Sequence, residues 1–235
     1  MLTLPEMKDN TASVRERIES AAKRSGRAAG DISLVAVSKF QPLEALYMAL
    51  DCGITVFGEN RVQERETKAA EWTERGAKWR MIGHLQRNKA RKALELFDAI
   101  DSVDSFDLAL YLDRVLIEKE SPEPYPVMIE VNTSGEESKN GAAPDSAISL
   151  AEKIMSECPR LKFSGMMTIG PLVGGVSETR RSFALLRTLA EETCAKLGTD
   201  SPRLSMGMSG DFELAIEEGS TMVRVGTGIF GARQG

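Results

Sequence analysis

The stretch that decides the fold is Leu204 to Gly231, LSMGMSGDFELAIEEGSTMVRVGTGIFG. A short apolar run ends in Ser205-Met206-Gly207-Met208-Ser209-Gly210, a helix-like segment covers 211–218, and 221–225 reads as a buried strand running into Gly226-Thr227-Gly228. Two small loops rich in Gly, Ser and Thr therefore follow two strands. Such loops let backbone N–H groups approach an anion closely, because glycine has no Cβ in the way and hydroxyls add donors. In a (β/α)8 barrel the loops after strands seven and eight are where a phosphate most often sits. The upstream sequence must then supply six more strands.

It does. Residues 11–25 place Val14, Ile18 and Ala21 or Ala22 on one face among charges, an amphipathic helix ahead of any strand. The run 34–38 is apolar and β-branched, as expected of a strand buried on both faces, and it ends at Lys39. Further strands are expected near 54–57, 79–82, 99–103, 126–131 and 163–169. Helices are expected over 42–50, 61–75, 88–96, 106–119, 145–158 and 178–197. Strict alternation predicts a parallel sheet, and eight repeats predict closure. The expected fold is a single (β/α)8 TIM-type barrel domain over residues 1–235 with an additional N-terminal helix. A doubly wound open sheet competes, but no G-x-G-x-x-G follows the first strand.

No apolar run approaches the roughly 20 residues needed to span a bilayer, and the start MLTLPEMKDN lacks a basic flank followed by an apolar core. A cytoplasmic address and no membrane partner are expected. A net charge of −5 gives no general attraction to nucleic acid. The local group Arg87, Lys89, Arg91 and Lys92 is expected to be a solvated helix face. With one histidine, a metal site built on several imidazoles is excluded, and no metal is expected. Cys52, Cys158 and Cys194 are widely spaced and read as buried thiols within helices.

Lys39 ends strand one, so its amine points into the barrel mouth. Partial burial of a lysine supplies the neutral amine that attacks an aldehyde; the competing reading is a side chain snorkelling to water. Arg224 is either a ligand contact in the mouth or half of an ion pair with a neighbour such as Glu59. His84 is a candidate general base or a hydrogen-bonded structural residue. Met206 and Met208 line a ring or fill core. The long polar loop 132–145, NTSGEESKNGAAPD, is a candidate lid or simply mobile.

A lysine on strand one together with two phosphate loops calls for a phosphorylated aldehyde. VAVSK at 35–39, FGENRVQE at 57–64, IGHLQRNK at 82–89, SMGMSGDFELAI at 205–216 and GSTMVRVGTGIFG at 219–231 resemble the pyridoxal phosphate homeostasis proteins, a family related to the barrel domain of alanine racemase. The resemblance implies that Lys39 holds pyridoxal 5′-phosphate (PLP) as a Schiff base. It implies further that Ser209, Gly226 and Thr227 hold the phosphate, that Arg224 faces the pyridine nitrogen, and that Asn60 and Met206 line the ring. Lys139 matches a family lysine, a second amine for passing cofactor in or out. Arg80 departs from the family, where an aromatic residue or His is common, and it lies outside the cofactor motifs.

Racemase chemistry of the related barrel needs a lysine and a tyrosine from a second domain of a partner subunit. The sequence runs out just past strand eight, and Tyr47, Tyr111 and Tyr125 fall in helices or ahead of a strand. A carrier is therefore expected rather than an efficient enzyme: a monomer that buffers PLP and delivers it to apo PLP-dependent enzymes. Two alternatives are a specialised amino-acid racemase using His84 or Lys139 as second base, and a phosphosugar enzyme using Lys39 as an aldolase-type lysine.

Overall fold

The computed structural model describes residues 2–73, 76–199 and 203–232. Short apolar runs, each stopped by a glycine or polar residue, form β1 (Ser33–Val37), β2 (Val56–Glu59), β3 (Lys78–Met81), β4 (Ala99–Val103), β5 (Tyr125–Glu130), β6 (Leu161–Met167), β7 (Arg203–Ser205) and β8 (Met222–Val225). They pair in chain order, all parallel, and β1 closes onto β8 in the register Ser33↔Met222 to Ala36↔Val225. The expected eight-stranded barrel is the fold.

Around it lie α1 (Leu4–Arg24), α2 (Leu43–Asp51), α3 (Val62–Ala69), α4 (Ala90–Leu96), α5 (Phe106–Glu118), α6 (Pro144–Glu157), α7 (Gly175–Leu197), α8 (Phe212–Glu217) and α9 (Thr227–Phe230). The leading helix begins two turns earlier than its apolar spacing indicates. Thr3 and Glu6 form a reciprocal capping box and Pro5 occupies the first turn, so the start is fixed by cap chemistry rather than by burial. Its buried face, Met7, Thr11, Val14, Ile18, Ala21 and Ala22, packs on α8 and α9. The helix expected over 61–75 ends at Ala69, and its expected terminus Arg75 lies outside the described residues. Cys52 and Cys158 cap α2 and α6 rather than lying inside them; Cys158 and Cys194 are buried and Cys52 is half-buried. Among the described residues no helix is long and apolar enough to cross a membrane.

Two packing zones decide where polar groups can go. Phe57, Trp72 and Trp79 pack between strands and helices, with ring centroids of Phe57 and Trp79 5.2 Å apart. Val35, Met128 and Met222 form a separate small cluster inside the barrel. Side chains alternate faces along a strand, so Glu130 and Arg224, each two residues further on, also face the interior. The barrel is thus apolar at its floor and charged toward the C-terminal ends of the strands. That end is the mouth.

Candidate functional site

Lys39 stands two residues past the end of β1, half-buried. Its amine has no hydrogen bond or ion pair among the described residues. The backbone around it is held: the following residue, Phe40, has φ +62°, a region few residues with a Cβ adopt, and its N–H donates to Glu64 Oε2 at 3.2 Å. The amine is loose on a fixed turn. Beneath it, Ser38 Oγ donates to Glu59 Oε1 at 2.7 Å, and Lys68 from α3 donates to Ser38 O at 2.7 Å and to the same Glu59 oxygen.

Arg224 is the interior cation of β8. Its guanidinium donates to Ser205 O at 2.7 Å, Ser205 Oγ at 2.8 Å and Thr168 O at 2.8 Å. The alternative of an ion pair with Glu59 is therefore corrected: Glu59 is taken by Lys68, a partner nine residues along on a helix that strand spacing does not reveal. Burial pulls the Arg224 pKa below its ordinary value, opposed by Asp101, Glu130 and Asp211.

The two loops that follow are shaped by close backbone contact. Gly207 has φ +94°, and a Cβ there would meet Phe212 Cα at 2.8 Å. Met208 N–H donates to Asp211 Oδ1 at 2.6 Å, and Gly228 N–H reaches Ser209 Oγ at 3.4 Å, so the loops after β7 and β8 touch. Gly226 lies against β1, where a Cβ would sit 3.4 Å from Val37 O. The structure brings Ser209, Gly226 and exposed Thr227 together beside the strand that ends in Lys39. Met206 is fully buried in the main core, beneath the mouth rather than in it.

Across the mouth, Asn60 follows β2 with a buried Oδ1 that has no hydrogen-bond partner. Glu130 is in the same condition: the residue is 4% exposed, Oε2 is unpartnered, and burial pushes its pKa up to about 7 against the pull of Arg224. His84 sits on the rim, exposed, with Nδ1 3.0 Å from Asp104 Oδ2. Lys139 is not a spare amine, because it donates to Glu136 Oε1 at 2.9 Å and Gly170 O at 2.7 Å. Its loop is neither open nor loose. Asn132 accepts from Ser134 Oγ and Gly135 N–H and donates to Glu136 O, while Ala142 pairs back onto Glu130 and Asn132.

Residues 10–234 match the alanine racemase N-terminal domain family. The pyridoxal phosphate homeostasis protein of Homo sapiens is 42% identical over 231 residues, covering 94% of this chain and 84% of that one. The protein of the same name from Aquifex aeolicus is 39% identical over 221 residues, covering 94% and 96%. The chain belongs to the pyridoxal phosphate homeostasis protein family. Among solved structures, PipY of Synechococcus elongatus with PLP bound superposes with a TM-score of 0.82 at 36% identity, covering 96% of this chain and 100% of that one. An alanine racemase from Clostridium difficile shares the fold at a TM-score of 0.73 and 13% identity.

The residues of this family member fit a phosphorylated aldehyde: among the described residues, an amine without a partner, two touching Gly/Ser/Thr loops beside it, and an acceptor at Asn60 without a donor. The residues missed in the sequence are those that support the first set. Lys68 falls in step with Val62 and Arg65 on the buried face of α3, and Glu130 in step with Met128 on β5. Both periodicities are visible in the sequence, but neither announces which charge sits opposite.

Proposed function

We propose that the chain binds PLP at the barrel mouth, with Lys39 Nζ as the point of covalent attachment to the aldehyde. Ser209, Gly226 and Thr227 hold the phosphate, Arg224 faces the pyridine nitrogen, and Asn60 and Met206 flank the ring from the side and from below. When bound, PLP supplies a reactive aldehyde and an electron-withdrawing ring. A guanidinium at the ring nitrogen keeps that nitrogen unprotonated, which damps the ring's capacity to absorb electrons. The observation that carries the reading is the Lys39 amine, without a partner among the described residues and set on a fixed turn beside a glycine loop that touches its strand.

The role that follows is storage and delivery of cofactor to apo PLP-dependent enzymes by a single barrel domain acting as a monomer. Moving a proton on and off an amino acid needs a second base. Lys139 is tied to Glu136 and the Gly170 carbonyl, which supports the carrier over a racemase that uses Lys139 as its second base. The test is retention of visible absorbance after PLP loading and exhaustive dialysis. Wild type is expected to stay yellow and Lys39→Ala to emerge colourless but folded; equal retention by both rejects Lys39 as the attachment point.

A further inference from the structure

The buried face of α3 carries Val62, Arg65 and Lys68 at helical spacing. Lys68 meets Glu59; Arg65 meets no acid. The Arg65 side chain is 8% exposed as part of its residue, and its guanidinium lies 4.1 Å from the centre of the Trp79 ring. Among the described residues it has no hydrogen bond and no ion pair. Nε and Nη1 are closed off without an acceptor, and Nη2, equally without one, is the nitrogen left open. Burial lowers its pKa against the pull of Glu59 and Asp98, yet a guanidinium keeps its proton in a protein. A buried cation without a counterion is costly, and the ring face offsets only part of that cost.

Arg65 lines a cleft of about 340 Å³, where α3 and α4 finish and β3 and β4 begin. That volume is at the small end of the range for ligand sites, about 300–1,000 Å³. In a parallel barrel every strand starts on this face and ends at the mouth, so the sheet separates the cleft from Lys39 and the phosphate loops. The apolar walls are Trp72, Ala77, Trp79, Leu96 and Phe97.

The remaining charges of the lining, Lys78, Glu95 and Asp98, are engaged with other groups. Asp98 accepts from Lys78 at 3.0 Å and from the Trp79 N–H at 2.7 Å. Glu95 accepts from Lys119 at 2.7 Å and pairs with Lys92 at 3.6 Å. Both carboxylates stay negative, and the C-terminal ends of α3 and α4 add to the negative potential. A dianion such as a phosphate monoester is therefore repelled. A single negative charge on an apolar body fits both the open nitrogen and the aromatic walls.

We infer that this cleft is a second ligand site, distinct from the Lys39 mouth, for a small monocarboxylate with an apolar body. The carboxylate meets Arg65 Nη2 and compensates the guanidinium charge, while the body lies against Trp72, Leu96 and Phe97. The site does not depend on Lys39 and can fill while the mouth is occupied.

Trp72 and Trp79 are the two tryptophans of the chain, and both line the cleft, so tryptophan fluorescence reads this site. Full-length protein, first free of PLP and then saturated with it, is titrated with hexanoate, hexanol and inorganic phosphate. Wild type is expected to give a saturable change with hexanoate in both states and none with phosphate. Hexanol, which has the tail without the charge, is expected to bind at least about tenfold more weakly. Arg65→Met keeps an apolar stem against Trp79 and removes the cation; it is expected to load PLP as wild type does and to bind hexanoate no more tightly than hexanol. No saturable change with hexanoate, equal affinities of wild type for hexanoate and hexanol, a phosphate response as strong as that to hexanoate, or an unchanged hexanoate isotherm in Arg65→Met would each overturn the inference. The comparison of hexanoate with hexanol on wild type decides the matter even if Arg65→Met does not fold.

Discussion

At the end of β1 the Lys39 amine has no partner among the described residues, whereas in the loop after β5 the Lys139 amine is held at 2.9 Å by Glu136 and at 2.7 Å by the Gly170 carbonyl. Both lysines lie on the C-terminal face of the barrel, and the sequence motifs offer both as amines for an aldehyde. The difference lies in the partners. An ammonium held between a carboxylate and a carbonyl must break both contacts before it reaches an aldehyde, while one on a half-buried stem with no acid beside it has none to break. A third lysine, Lys68, shows the extreme: it is buried against Glu59 and Ser38 and serves the turn beneath Lys39.

The largest effect separates these roles. Lys68→Met leaves the Glu59 carboxylate, which is fully buried, with Ser38 as its remaining partner, at a cost of about 3–5 kcal/mol in denaturant unfolding. Adding Glu59→Gln is expected to restore much of that loss, since an unpaired buried charge costs more than a buried pair replaced whole. A loss below about 1 kcal/mol would mean that the pair is hydrated and that the Lys39 turn is not held from below.

This partner is also where the sequence stopped being informative. The strands, their order and the two small loops after β7 and β8 were legible, because each strand is a short apolar run closed by a small or polar residue and each loop carries its own Gly with Ser or Thr. The partner of Glu59 was not, because α3 presents Lys68 through a helix repeat while Glu59 follows a strand repeat, and only their packing sets the two together. The same applies to Arg224, whose hydrogen bonds go to Ser205 at the end of the neighbouring β7 and to Thr168 just past β6, one strand further round. The short helix α9 was hidden inside a Gly-Thr-Gly run that reads as loop, and the first turns of α1 were hidden by the absence of an apolar repeat before Met7.

Glu130 extends the comparison to acids. Its carboxyl, near 7 in the folded protein against an ordinary 4.5, binds its proton more tightly folded than unfolded. Stability is therefore full below about pH 4.5 and falls as pH rises to about 7, by about 3 kcal/mol in all, then levels off. Glu130→Gln is expected to flatten that slope in unfolding curves across the same range. An unchanged slope would place the proton elsewhere.

Two smaller effects sharpen the contrast between the loops. Thr227→Ala removes an exposed hydroxyl, so melting should not move while PLP binding weakens about tenfold, near 1.4 kcal/mol. Lys139→Met should do the reverse: about 1 kcal/mol of stability lost and faster protease nicking within 132–142, with PLP attachment intact.

The most direct measurement is borohydride reduction of PLP-loaded protein followed by peptide mass mapping, on wild type and on Lys139→Met. Partnering of the amines predicts one pyridoxyl-bearing peptide in both, the one containing Lys39. An adduct on Lys139 or Lys68, or none at all, would contradict the assignment of Lys39 as the amine that holds the cofactor.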